Sequence, residues 1–168
     1  MMKKRRMVKV YRFIAIKHFY NLAGYLLPIL AVFVLILGTY GSIGGLYLAP
    51  ADYQQGDAFR IIYVHVPSAF LSLFIYLVMA MAAVIGLIFR IKLADLIVSG
   101  SVFLGSWFTF LALLTGSVWA KPMWGAWWVW DARLTSELIL LFLYLGVIAL
   151  RSAIPEPRVA AKATAVLL

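Results

Sequence analysis

The sequence predicts an all-α, polytopic transmembrane bundle: four complete spans, the start of a fifth, and a short external Trp-rich amphipathic helix. Three observations predict it. Hydrophobic residues make up 65% of the chain and charged ones only 12%, unlike a soluble globular domain. The apolar residues fall in four blocks, Leu26–Tyr47, Pro67–Phe89, Leu96–Val118 and Leu134–Leu150. Each is near the roughly 20 residues that cross a hydrocarbon core. The first three lack Asp, Glu, Lys and Arg, and the fourth holds only Glu137. Helices satisfy their own backbone polar groups in lipid, so helical spans are expected. The third observation is charge. Counting loops alternately from the N-terminus, one side receives Lys3, Lys4, Arg5, Arg6, Lys9, Arg12, Lys17, Arg90, Lys92, Arg151, Arg158 and Lys162. The other receives Arg60, Lys121 and Arg133. Twelve against three puts the N-terminus in the cytoplasm and ascribes the net charge of +9 to topology and anionic lipid rather than nucleic acid.

The elements follow in order. Residues 1–22 form a basic cytoplasmic arm, and 23–47 the first span. That span is too long for a secretory signal peptide, and its Gly38, Gly41, Gly44 and Gly45 suit close approach of another helix. Residues 48–63 make a polar, turn-rich external loop. The second span covers 64–89, with Pro67 suited to the first helical position. A cytoplasmic turn at 90–95 leads to the third span, 96–118, which carries the small-residue pair Ser101 and Gly105. The external loop at 119–133 precedes the fourth span, 134–150, and a cytoplasmic segment, 151–158. Residues 159–168 open a further apolar run, as in a protein cut off at the start of a fifth span.

Five of the six tryptophans, Trp119, Trp124, Trp127, Trp128 and Trp130, lie within twelve residues of the external loop. Trp and Tyr anchor helices at membrane interfaces, but one or two rings suffice for that. Helical spacing would put Trp124, Trp127 and Trp128 on one side of a short helix, a shelf for a flat, mostly apolar ligand. His65 stands just before Pro67, at the same membrane face. The helix N-terminus disfavours imidazolium there, and neutral imidazole is the ligating form. His18, in the basic arm, has no role beyond the interface. Asp131 reads equally as the N-cap of the fourth helix. Arg60, Lys121 and Arg133 are candidate partners for ligand carboxylates, the arginines offering bidentate geometry. Glu137 is an interfacial acid or a buried pairing partner. With no cysteine, thiol chemistry is excluded. One histidine among many aromatics suggests haem: an axial nitrogen, an apolar platform, and cations for the propionates.

These residues coincide with a family. Trp124-Gly-Ala-Trp127-Trp128-Val-Trp130-Asp131-x-Arg133-Leu-Thr resembles the "WWD" signature of haem-handling proteins. Gln55-Gly-Asp-Ala-Phe-Arg-Ile-Ile-Tyr-Val-His65-Val-Pro-Ser-Ala resembles the segment bearing an axial histidine in the cytochrome c maturation protein C family (CcmC, haem exporter protein C). The resemblance covers essentially the whole chain. It implies a multi-pass protein of the bacterial inner membrane that binds haem b at the periplasmic face and delivers it to the haem chaperone CcmE. It also implies CcmD and the ABC transporter subunits CcmA and CcmB as partners, and relay of the cofactor rather than catalysis. His65 would be an axial iron ligand. Trp124, Gly125, Trp127, Trp128, Trp130 and Asp131 would form the haem and chaperone platform, with Trp119, Arg60 and Arg133 beside them. The family's six spans and second axial histidine, between the last two, extend past the end of this sequence. Other readings are a related WWD-family cytochrome c synthase component and a permease subunit whose tryptophans only anchor it. A Trp-Trp-Asp oligosaccharyltransferase would need a large external domain and more external acids than Asp52, Asp57, Asp131 and Glu137.

Overall fold

The computed structural model describes residues 16–168, so Lys3, Lys4, Arg5, Arg6, Lys9 and Arg12 of the expected arm lie outside the described residues. Helix α1 spans Ile16–Ile43 and runs into a π-helical turn, Gly44–Leu48. A 3-10 turn at Asp57–Ile61 then leads directly into α2, Ile62–Phe89. Helices α3 (Lys92–Trp124), α4 (Ala132–Ala153) and α5 (Pro157–Leu167) complete the fold. Among the described residues four helical stretches are long and apolar enough to cross a membrane: Ile16–Leu48, Asp57–Phe89, Lys92–Trp124 and Ala132–Ala153. The chain is a multi-pass α-helical membrane protein, as its composition predicted.

Three of the four long helices form a bundle. Its core takes Ile75, Met79, Ala82 and Ala83 from α2, Ala94, Val98 and Val102 from α3, and Leu140, Tyr144 and Val147 from α4. These recur at three- and four-residue spacing, which lines one helix face. Three of the ten are alanines, and helices in lipid gain from close backbone approach rather than from expelling water. Gly105 provides the clearest instance: the Tyr144 ring lies where a side chain at 105 would begin. The Tyr144 hydroxyl donates to the Ser72 carbonyl at 2.7 Å, and its ring meets Tyr76 edge-on at 5.4 Å. At the end of the bundle remote from the tryptophan loop, Arg151 Nη1 pairs with Asp95 Oδ1 at 2.8 Å, fastening the last turn of α4 to the first of α3. Large apolar residues such as Phe70, Phe103 and Phe142 face outward, as expected where lipid is the solvent.

Several expectations need correction. Helix α1 begins at Ile16, inside the segment read as the arm. None of α1's residues is buried, and Gly38, Gly41 and Gly44 have nothing within 4 Å of an added Cβ. Only Gly45 makes the close approach, with Tyr63 Cγ 2.6 Å from the position of a Cβ. Pro67 is internal to α2, because the 3-10 turn propagates into the helix; the Tyr63 carbonyl forgoes its usual amide donor as a result. The connection after α2 is shorter than 90–95: Arg90, in the left-handed region at φ 54°, and Ile91 alone separate α2 from α3.

The third helix continues past Val118 to Trp124. The separate Trp-rich amphipathic helix is not formed. Gly125, at φ 73°, stops α3, and only five residues remain before Asp131 caps α4. That is too few to offset the cost of nucleating a helix. The apolar run at 159–168 belongs to α5, which begins at Pro157 and packs back on α4 and α2, burying Ala160 and Thr164.

Candidate functional site

One end of the bundle gathers the 3-10 turn, the start of α2, the end of α3 and the start of α4. His65, in the first turns of α2, points across to α3. Its Nδ1 lies 3.1 Å from the Ala112 carbonyl oxygen and 3.1 Å from Thr115 Oγ1. Ala112, Thr115 and Gly116 stand at i, i+3 and i+4, hence on one face of α3. Gly116 makes room for the ring: an added Cβ would sit 3.1 Å from His65 Cε1 and 3.5 Å from Leu134 Cδ2 of α4. A carbonyl can only accept, so this contact calls for the hydrogen on Nδ1, which in the neutral ring leaves the lone pair on Nε2.

The external loop reaches the same place. Asp52 Oδ1 accepts from the amides of Gln54 and Gln55 at 2.9 and 2.8 Å, and Gly56, at φ 57°, closes the turn back onto Asp52. This presents Gln55, whose Oε1 accepts from Trp119 Nε1 at 2.9 Å. Trp119 in turn meets the His65 ring edge-on, with centroids 5.7 Å apart. Histidine and first tryptophan are therefore neighbours.

The rest of the tryptophan segment is organised by charge. Asp131 caps α4, its Oδ1 accepting from the Leu134 amide at 2.8 Å. Its Oδ2 accepts from Arg133 Nη2 at 2.8 Å and Nε at 3.2 Å, and the same guanidinium lies 5.4 Å from the Trp124 ring centroid. Lys121 Nζ donates to the Gly125 carbonyl at 2.9 Å and sits over Trp127, a cation-π contact. Trp128 and Trp130 pack edge to face, 5.3 Å apart. Trp130 is 75% exposed, so much of the aromatic surface is open to lipid or ligand. Trp128 Nε1 is buried without a partner, a spare donor within the segment.

Arg60 pairs with Asp57 at 3.3 Å and donates to the Leu46 carbonyl at 3.4 Å. Both external arginines thus already have intrachain carboxylates. Glu137 faces the bundle, where the Ser72 hydroxyl lies 2.8 Å from its Oε1. The structure brings His65 together with Trp119, Arg133 with Trp124 and Asp131, and Trp128 with Trp130. Gln55, Ala112, Thr115 and Gly116 were not anticipated. Gln55 opens the quoted histidine motif, and Thr115-Gly116 is a hydroxyl beside a glycine inside a span, the only signals that pointed to them.

The Leu134 amide, foremost, and Arg133 hold the Asp131 carboxyl below its ordinary 3.8. With the folded value depressed, its contribution to α4 is complete above the unfolded value and disappears as pH falls through the folded one. The protection of the Leu134 amide, its exchange rate relative to that of an unstructured amide at the same pH, is therefore expected to fall below about pH 4. In Asp131→Asn, which still caps a helix, that loss of protection should be absent. Protection in the wild type that is constant over this range would contradict the capping geometry.

Among the described residues no group of three or more His, Cys, Asp or Glu side chains is placed to hold a bare metal ion. An iron bound through His65 would need its other ligands from elsewhere, as a porphyrin supplies them. A family model for heme exporter protein C matches residues 9–168. The chain is 54% identical over 149 residues to heme exporter protein C of Escherichia coli strain K12, covering 89% of this chain and 61% of that protein. It is 49% identical over 152 residues to that of Bradyrhizobium diazoefficiens, covering 89% and 56% respectively. A putative cytochrome c biosynthesis ccmC-like mitochondrial protein of Marchantia polymorpha is 49% identical over 116 residues, covering 69% of this chain and half of that protein. The chain thus spans about three-fifths of the length of the first of these relatives.

Proposed function

Because this chain belongs to the heme exporter protein C family, we propose that it is a haem-handling component of c-type cytochrome biogenesis. It binds haem b at the periplasmic face of the bacterial inner membrane and delivers it to the chaperone CcmE. It works with CcmD and the transporter subunits CcmA and CcmB. Binding and relay, with no bond change of its own, are what its residues suit.

The observation that carries this reading is the state of His65. Its Nδ1 is engaged by two oxygens of α3, which leaves Nε2 as a neutral nitrogen lone pair, the form that ligates haem iron. The residues fit the group. His65 would hold the iron. Trp119 backs the imidazole, and Trp124, Trp127, Trp128, Trp130, Gly125 and Asp131 supply the adjacent platform. Arg60 and Arg133 would serve as donors for propionates by exchanging Asp57 and Asp131 for the ligand's carboxylates, and Trp128 Nε1, buried without a partner, would join them if uncovered. Haem, when bound, supplies the flat apolar surface and the iron. The chain's part is to orient the imidazole, shield one side of it, and leave the other accessible for transfer.

The fold supports the periplasmic placement. The basic residues Arg90, Lys92, Arg151 and Arg158 cluster around the opposite helix ends, the cytoplasmic side by the charge rule. Replacing His65 by alanine in the purified protein is expected to abolish most of the haem bound per chain and to alter the Soret band, while helical content stays unchanged. Unchanged haem content and spectrum would remove His65 as the ligand.

A further inference from the structure

Thr115 meets the imidazole at Nδ1, the ring nitrogen remote from Nε2, and its single hydroxyl hydrogen has a nearer acceptor within α3. Oγ1 is 2.6 Å from the Leu111 carbonyl oxygen, the backward bond that threonine makes within a helix. Its lone pairs therefore face outward, and His65 Nδ1 meets them at 3.1 Å. The Ala112 carbonyl, at 3.1 Å from the same nitrogen, is likewise only an acceptor. The carbonyl has no hydrogen to give, and the hydroxyl's is directed to Leu111 at the shorter distance, so both contacts are satisfied when Nδ1 carries one. Of the two, the carbonyl is present whatever residue stands at 112; the threonine is the part that the sequence chooses. Gly116, one position on, leaves the ring free to settle against both.

We propose that Thr115 is a positioning residue for haem binding. With the Ala112 carbonyl it fixes the Nδ1–H tautomer and the rotation of the His65 ring, so that Nε2 is the ligating atom, and it makes that nitrogen more basic. A partner on the remote nitrogen of a ligating histidine acts in this way, and its loss costs about 10- to 100-fold in metal affinity. The haem-binding part of the inference rests on the proposed function, whereas the tautomer is a property of the protein without ligand.

The test uses the full chain labelled with 15N-histidine, purified without haem. The His65 signals are assigned by their disappearance in His65→Ala. In the wild type, neutral His65 is expected to show a protonated Nδ1 and an unprotonated Nε2. In Thr115→Val, which keeps the shape and loses one of the two acceptors, the Nδ1–H form should lose population to the other tautomer, with the Ala112 carbonyl alone left to favour it. Haem affinity should fall about tenfold, and the reduction potential of bound haem should move positive as the ligand becomes less basic. Thr115→Ser should restore all three, and Thr115→Ala should repeat the valine result if valine disturbs folding. Protonation at Nε2 in the wild type overturns the proposal, as does a valine variant matching the wild type in tautomer, affinity and potential. Retention of haem by His65→Ala would instead defeat the proposed function and leave the tautomer result standing by itself.

Discussion

Gly105→Val is expected to separate α3 from α4 and to lower the stability of the bundle by about 3 kcal/mol, the upper part of the range for overpacked cores. A Cβ at 105 would overlap Cε1, Cζ and the hydroxyl of Tyr144. The ring has nowhere to withdraw. Tyr144 is fully buried, its hydroxyl is held by the Ser72 carbonyl at 2.7 Å, and the Tyr76 ring packs perpendicular to it. Relief therefore requires either moving a whole helix or breaking that hydrogen bond. Tyr144→Phe keeps the ring and loses only the bond, so it should cost about 1 kcal/mol. Tyr144→Ala opens a cavity and should cost about 3 kcal/mol or more. In the double variant Gly105→Val/Tyr144→Ala, part of the lost stability should return, because the new side chain occupies the vacated space. Denaturation midpoints in detergent measure all four. A valine variant that unfolds with the wild type would show that the two helices do not approach at this point.

The same contact shows how far the sequence was legible. Four spans could be read because lipid demands long uncharged runs, and Leu26–Tyr47, Pro67–Phe89, Leu96–Val118 and Leu134–Leu150 each fall within an observed membrane-length helix. Which helices touch was not legible. In a soluble protein an apolar stripe marks the buried face, but here lipid-facing and helix-facing sides are both apolar. The glycines of α1 and of α3 thus looked alike. Gly105 has a tyrosine against it, while Gly38 and Gly41 have nothing. Around the site, Asp131 was legible as an N-cap because the required acceptor type sits immediately before an apolar run. The helical spacing of Trp124, Trp127 and Trp128 misled, because Gly125 in the left-handed region ends α3 between the first and second. His65 was legible as a candidate ligand from its place before Pro67. Its partners were not: one is a backbone carbonyl, which no residue type announces. The other is a threonine fifty residues away whose relevance depends on the α2–α3 register.

That register makes Gly116→Val the most informative change at the site. Even a lone Cβ at 116 would stand 3.1 Å from His65 Cε1 and 3.6 Å from Nδ1, so Gly116→Ala should be accommodated by a small shift of the ring and a mild loss of haem affinity. Valine adds two methyl groups with restricted rotamers. With Leu134 Cδ2 3.5 Å from the added Cβ, the imidazole must leave Ala112 and Thr115. Haem affinity is then expected to fall about 10- to 100-fold, with an altered Soret band. The bundle should survive, because Gly116 lies outside the buried cluster that joins α2, α3 and α4; circular dichroism and the denaturation midpoint check this. The outcome is best read beside Thr115→Val. If both weaken binding, the ring must be held in one place and one tautomer. If Gly116→Val alone does so, position matters and the hydrogen bond from Nδ1 to threonine does not. If Gly116→Val binds haem like the wild type with the same spectrum, the iron is not held by the imidazole that packs against this glycine, and the platform would have to work without His65.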